Sequence, residues 1–208
     1  MKNTEKEENA TTSRKSDTRL ETVCRKVTLR GLTEIMFDRD AGDNKTQLDW
    51  NQKIYLVPGS DILCLPAINI SSFLSAHNTN SAPKRLRDSR QFKKIANACL
   101  SFVSISPAYI PFTRNGEEIH VGKFGPESDP VSGLYLHRAV ARLDKGIPNP
   151  KERPVLPTPW ELVFTLTIFP NREIKEQEVR NLFSEGGIAI GLGTFRGSFG
   201  KFEVSEWE

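Results

Sequence analysis

Hydrophobic side chains recur along this chain with two periods, and the switches between them mark the elements. The stretch "TVCRKVTLRGLTEIMF" sets Val23, Val27 and Leu29 against Lys26, Thr28 and Arg30. That two-residue alternation predicts a half-buried first strand. "DRDAGDNKTQLDWNQ" is polar and loop-like, and "KIYLVPGSDILCLP" reads as two short strands broken at Pro58-Gly59. The period then lengthens: in "AINISSFLSAH", Ile70, Phe73, Leu74 and His77 fall at helical spacing, with Pro66 tolerated at the helix start. After the loop "NTNSAP", the stretch "DSRQFKKIANACLSFV" places Phe92, Ile95, Ala96, Cys99, Leu100 and Val103 on one helical stripe, which Asp88 or Ser89 can cap.

Between about residues 107 and 159 the pattern weakens. A hairpin is expected at Asn115-Gly116, an extended segment over "GLYLHRAVARL", and an extended, non-helical connector over the proline-rich "GIPNPKERPVLPTP", which also has the composition of a proline ligand for a partner domain. Regularity returns in "WELVFTLTIF", whose Leu162, Phe164, Leu166 and Ile168 share one strand face. Asn171 then caps the helix "REIKEQEVRNLFSE": Val179, Leu182 and Phe183 point inward, Glu173 and Glu176 sit in the first turn, and Gly186 and Gly187 stop it. A strand "IAIGL", a glycine-rich loop and a last strand "KFEVSEW" finish the chain. Strand, helices, extended middle, strand, helix, strand is the order of an α+β, ferredoxin-like (RRM-like) domain, an antiparallel sheet with helices on one face.

Composition bounds this picture. The length of 208 residues suits one domain, here residues 22–208 with an insertion over about 107–159. Residues 1–21 mix both charge signs with almost no apolar side chain, so a disordered tail is expected. They lack the apolar centre of a secretory signal, no apolar run reaches membrane-spanning length, and a cytoplasmic location is expected. Cys24, Cys64 and Cys99 are widely spaced in apolar patterns, which predicts buried reduced thiols rather than disulfides or a zinc site. No metal or organic cofactor is called for. The formal charge of +3 is too small to identify a polyanion partner, so charge placement has to decide.

The segment "GLGTFRGSFGKFEV" carries four glycines and two cations. It is no nucleotide-phosphate loop. Such loops lead from strand into helix, the Walker spacing would put its first glycine at Phe195 and its hydroxyl at Phe202, and Arg196 occupies the third glycine of a dinucleotide pattern. The aromatic signature of RNA-recognition motifs is broken by Ser198. The segment resembles instead the C-terminal glycine-rich signature of the RAMP superfamily, the RNA-binding subunits of CRISPR effector complexes. "ILCLPAINISSFLSA" is similar to that family's apolar strand and Pro-led helix, with Ala67, Ile68 and Asn69 where Gly-Ser-Ser is usual. The chain also looks like uncharacterised prophage proteins. The RAMP resemblance implies that Gly191, Gly193, Gly197 and Gly200 let main chain approach a sugar-phosphate backbone, that Arg196 and Lys201 add charge, and that Phe195 or Phe199 stacks on a base. A glycine-rich hairpin with core phenylalanines and solvated cations is the competing reading.

"KRLRDSRQFKK" is the densest basic stretch, with Lys84, Arg85, Arg87, Arg90, Lys93 and Lys94. It is either a solvated helix face or a phosphate track; all six on a single strand give a log-log salt slope of roughly −4. Catalytic candidates are sparse. Asp38 and Asp40, with Asp43, could collect a divalent ion, and the resemblance implies a role in RNA cleavage for an aspartate in such a loop; His137, near Arg138, could serve acid-base chemistry. The expected function is a nonenzymatic subunit binding RNA or single-stranded nucleic acid, assembling with its own copies or related subunits. An endoribonuclease of the same fold and a prophage structural protein are the alternatives.

Overall fold

The computed structural model describes residues 21–43, 46, 48–122, 127–142 and 148–208, with only the backbone described at 141, 142, 148 and 149. Residues 1–20 of the expected tail lie outside these. The alternation of the first strand becomes pairing. Strand β1 (Val23–Gly31) lies between β10 (Phe202–Trp207) and β9 (Glu161–Ile168). The far edge of β9 takes β4 (Val103–Ser106) and then β5 (Tyr109–Arg114), and β5 in turn carries β3 (Cys64–Pro66) and β6 (Glu117–Glu118). All these pairings are antiparallel. Strand β9 thus sits between β1 and β4, and β1 sits between β9 and β10. These are the two interleaved split βαβ units of a ferredoxin-like sheet.

Helices α1 (Ala67–Ser75), α2 (Ala82–Leu86) and α3 (Phe92–Phe102) fall in the first crossover and α4 (Glu176–Ala189) in the second. Val27, Leu29, Phe164 and Leu166 from the sheet share one buried cluster with Ile70, Phe73, Val179, Leu182 and Phe183 from the helices. Phe183 is its hub, with ring centroids 5.7 Å from Phe73, 6.0 Å from Phe164 and 6.0 Å from Trp207. On the opposite face the same alternation exposes Cys24, Lys26, Arg30, Ser104, Ser106 and Thr165.

The middle region supplies β8 (Pro148–Leu156) and β7 (Tyr135–Arg142), which with β2 (Ile35–Met36) from just after β1 form a second sheet in the order β2-β8-β7. The proline-rich connector is therefore a paired strand. Pro148, Pro150 and Pro154 share one parity, opposite Arg142, Val140 and Leu136. The Pro154 carbonyl accepts the Phe37 N–H at 2.9 Å, on the side away from β7, so the missing proline donors fall on that side and cost the β7 ladder nothing. The predicted hairpin is present: Asn115 and Gly116 turn β5 into β6 with φ of 55° and 84°. Arg114 braces the segments before β7 and after β8, donating to the carbonyls of Pro159, Ser132 and Pro157 at 3.0, 3.0 and 3.4 Å.

Several expectations are corrected. Helix α4 does not stop at Gly186 and Gly187 but runs to Ala189, so the expected strand "IAIGL" is a helix end and a turn. A Cβ on Gly186 would lie 2.6 Å from Phe73 Cζ and 2.9 Å from Ala82 Cβ, so this glycine permits close helix packing instead of capping. Asn171 Oδ1 accepts the N–H groups of Glu173 and Ile174 at 2.9 and 2.8 Å, closing a turn ahead of α4 rather than capping the helix itself. Helix α2 occupies the end of the expected loop "NTNSAP" and the start of the basic stretch. Ser81 caps it, accepting the Lys84 N–H at 3.4 Å. The two expected strands around Pro58-Gly59 shrink to a Leu56–Leu63 bridge and β3. All three cysteines are free, but only Cys64 and Cys99 are buried, and burial pushes their thiols up to about 11 and about 12; Cys24 is exposed on the open sheet face. Among the described residues no helix is long and apolar enough to cross a membrane.

Candidate nucleic-acid interface

Helix α4 delivers the chain to the glycine loop, and the loop is tied down by its own main chain. Gly191, Gly193 and Gly200 have φ of 83°, 75° and 73°, where a Cβ is disfavoured. A Cβ on Gly191 would also lie 2.5 Å from the Gly200 carbonyl oxygen, one on Gly193 2.6 Å from the Met36 oxygen, and one on Gly200 against the Leu192 oxygen. The close approach these three glycines permit is therefore to the protein itself. Amides are spent the same way: Gly191 N–H donates to Gly186, Gly197 to Ile190 and Gly200 to Glu34, at 3.1, 2.9 and 2.7 Å. Of the four loop glycines, only Gly197, with φ of 97°, would have an added Cβ meet nothing within 4 Å.

Arg196 belongs to this internal network. Its Nε donates to the Gly193 carbonyl at 3.0 Å and its Nη1 to the Asn80 carbonyl at 2.5 Å. Desolvation lowers its pKa from the usual guanidinium value. The side chain clamps the loop to the turn that opens α2. Lys201 contributes main chain: its N–H donates to Thr33 Oγ1 at 2.9 Å and its carbonyl accepts from Leu32 at 2.8 Å. What this anchoring presents outward is the tip, where Phe195 is 62% exposed and Gly197 and Ser198 are exposed. Phe199 is half-buried, its ring centroid 6.2 Å from that of Phe195 and 5.6 Å from the imidazole of His137 on β7.

The basic stretch divides by role. Arg87 is an internal brace, pairing with Glu178 at 2.8 Å and Glu185 at 3.2 Å on α4, and its pKa is raised chiefly by the Glu178 hydrogen bond. Lys84 Nζ stands 4.1 Å from the centroid of the Phe92 ring and remains exposed, as do Arg85, Arg90, Lys93 and Lys94. The Arg196 clamp thus sets the loop against the turn from which Ser81, Lys84 and Arg85 follow.

Of the catalytic candidates, Asp38 and Asp40 share a cleft and His137 is not among its lining residues. Asp38 is paired with a cation at each carboxylate oxygen, Arg153 Nε at 2.7 Å and Lys53 Nζ at 3.6 Å. Asp40 accepts the Gly42 N–H at 3.2 Å and, with Asp38, Arg39 and Lys53, lines an open polar cleft of about 600 Å³. Among the described residues no three His, Cys, Asp or Glu side chains gather as a metal site. His137 faces Phe199 and lies opposite Arg153 in the β7–β8 register. Sequence spacing gave no sign of the Asp38–Arg153 pair, or of the Tyr135 hydroxyl donating to Glu34 at 2.7 Å, where burial pushes the phenol up to about 12. On the open sheet face the four central strands β1, β4, β9 and β10 place no aromatic ring; the exposed rings of that sheet, Tyr109 on β5 and Phe169 just past β9, lie outside them.

No protein-family model matches the chain, and no curated protein does. Among solved structures it is similar to a chain of the type III-B Cmr-beta structure, determined by cryo-EM bound to cognate target RNA, with 13% identity and a TM-score of 0.56 over 90% of this chain. The likeness covers 60% of that longer chain and shows a common fold.

Proposed function

We propose that this chain is a nonenzymatic RNA-binding subunit of a ribonucleoprotein assembly and packs beside further copies or related subunits along a single strand. The reading is carried by the Arg196 clamp to the Asn80 carbonyl, which holds the exposed loop tip beside the turn that opens the cationic helix α2. The fold shared with a chain from an RNA-bound assembly supports it. In this reading Lys84 and Arg85, continued by Arg90, Lys93 and Lys94, meet phosphates. Main chain at Gly197 and the Ser198 hydroxyl approach the sugar-phosphate backbone at the tip. Fluorescence anisotropy with labelled single-stranded RNA across a salt series tests it. With Arg87 committed to α4, the five remaining cations set a slope no steeper than roughly −3.5, and the double variant Lys84→Ala/Arg85→Ala makes it shallower by about 1.4. The RNA is expected to stay intact with and without magnesium. Binding that is absent at low salt, or indifferent to salt, overturns the reading.

A further inference from the structure

Phe195 combines two features that packing does not account for. Its φ is 52°, in the left-handed region that phenylalanine disfavours, and its ring is 62% exposed. The loop places glycine at four other left-handed positions, Gly191, Gly193, Gly197 and Gly200. Here it keeps a large ring in a conformation glycine would adopt freely, and it gains little burial in return. The ring is nevertheless held in place. Arg196, the next residue, is clamped at both the loop and the Asn80 turn, and Phe199 backs Phe195 at a centroid distance of 6.2 Å and an interplanar angle of 59°. His137, reaching across from the second sheet, backs Phe199 in turn at 5.6 Å.

We infer that Phe195, supported by Phe199 and His137, is a stacking platform for one unpaired base of the bound strand. The inference rests on the RNA-binding reading above and adds to it a base contact distinct from the backbone contacts. An aromatic face accepts any base, so the platform selects single strands without selecting sequence, while duplex bases have their faces covered by neighbours. Phe195 is the residue that touches the base; Phe199 and His137 position it.

The test compares three labelled probes of equal length in anisotropy titrations: oligoadenylate, the same strand with abasic positions, and a paired duplex. The native protein is expected to hold oligoadenylate about tenfold tighter than the abasic strand, and Phe195→Ala to bind both alike at the abasic level. Phe195→Tyr keeps the preference. Phe195→Gly removes it while the unfolding temperature stays level or rises by up to about 3 °C, because glycine relieves the left-handed strain. That second readout separates loss of the platform from loss of the fold. Equal, salt-sensitive binding of intact and abasic strands by the native protein overturns the platform and leaves the backbone contacts standing. Equal affinity for duplex, or a preference that persists in Phe195→Ala, also overturns it. Failure to bind either single strand removes the RNA-binding reading itself.

Discussion

Arg196 separates a scaffolding role from a ligand-contact role more cleanly than any other residue of the loop. Sequence suggested that its charge meets a phosphate; the structure has it donating to the carbonyls of Gly193 and Asn80. Hydrogen bonds from a charged donor contribute about 1.5–3 kcal/mol each, and the desolvation that depresses its pKa offsets part of the pair, leaving about 2 kcal/mol lost in Arg196→Ala. For a chain of 208 residues that loss lowers the unfolding temperature by roughly 4–8 °C. Arg196→Lys, with a single point donor, should recover part of it. Thermal unfolding followed by circular dichroism gives the first number, and limited proteolysis over residues 195–199 reports whether the tip has come loose. RNA affinity is expected to fall in step with loop protection. A variant that unfolds at the native temperature, keeps its protease resistance and still loses affinity with a shallower salt slope would refute the reasoning, since the guanidinium would then be meeting the ligand.

Two further outcomes follow from the packing. Gly186→Ala should destabilise by about 1–3 kcal/mol in urea unfolding, because its Cβ would press on the Phe73 ring and on Ala82 where α4 crosses α1 and α2. The Arg25 guanidinium, donating to both oxygens of Glu176 at 2.6 and 3.0 Å, holds that carboxyl below the usual glutamate range. Since the folded-state value is the lower one, the stabilisation is present above the ordinary glutamate pKa and is lost as pH falls through the folded value. Glu176→Gln should therefore unfold more easily near about pH 7, and the difference from the native protein should shrink towards zero below about pH 4.

Where a signal is local, the sequence carries it. Alternation marked β1 and β9, the helical stripe marked α3, and Asn115-Gly116 marked the β5–β6 turn. Where the physical cause lies across the chain, local signals mislead. Gly186 and Gly187 read as helix stops because glycine is common there, yet their reason is contact with Phe73, Ala82 and Phe202. Helix α2 is too short to show a period, and β8 hides behind prolines whose harmlessness depends on which edge its partner occupies. The site follows the same rule. The glycine loop was locatable from composition, but the commitments of Arg87, Asp38 and Arg196 were not, because each is fixed by partners far away in sequence.

The loop's glycine content suggests flexibility, and its hydrogen bonds argue the reverse. A flexible segment that orders on binding loses about 1–2 kcal/mol of backbone entropy per residue, which would erode the modest gain from a few phosphate and base contacts. Here three glycines are locked against Gly200, Met36 and Leu192, and the amides of Gly191, Leu192, Thr194, Gly197, Phe199 and Gly200 are paired within the fold, so that much of the ordering precedes any ligand. The tip around Gly197 is left as the part of the loop free to meet another molecule. The left-handed strain at Phe195 can persist because the surrounding clamps over-determine it. On the proposed reading the glycines serve recognition indirectly: they let the chain pack tightly enough on itself to hold one aromatic ring out in water.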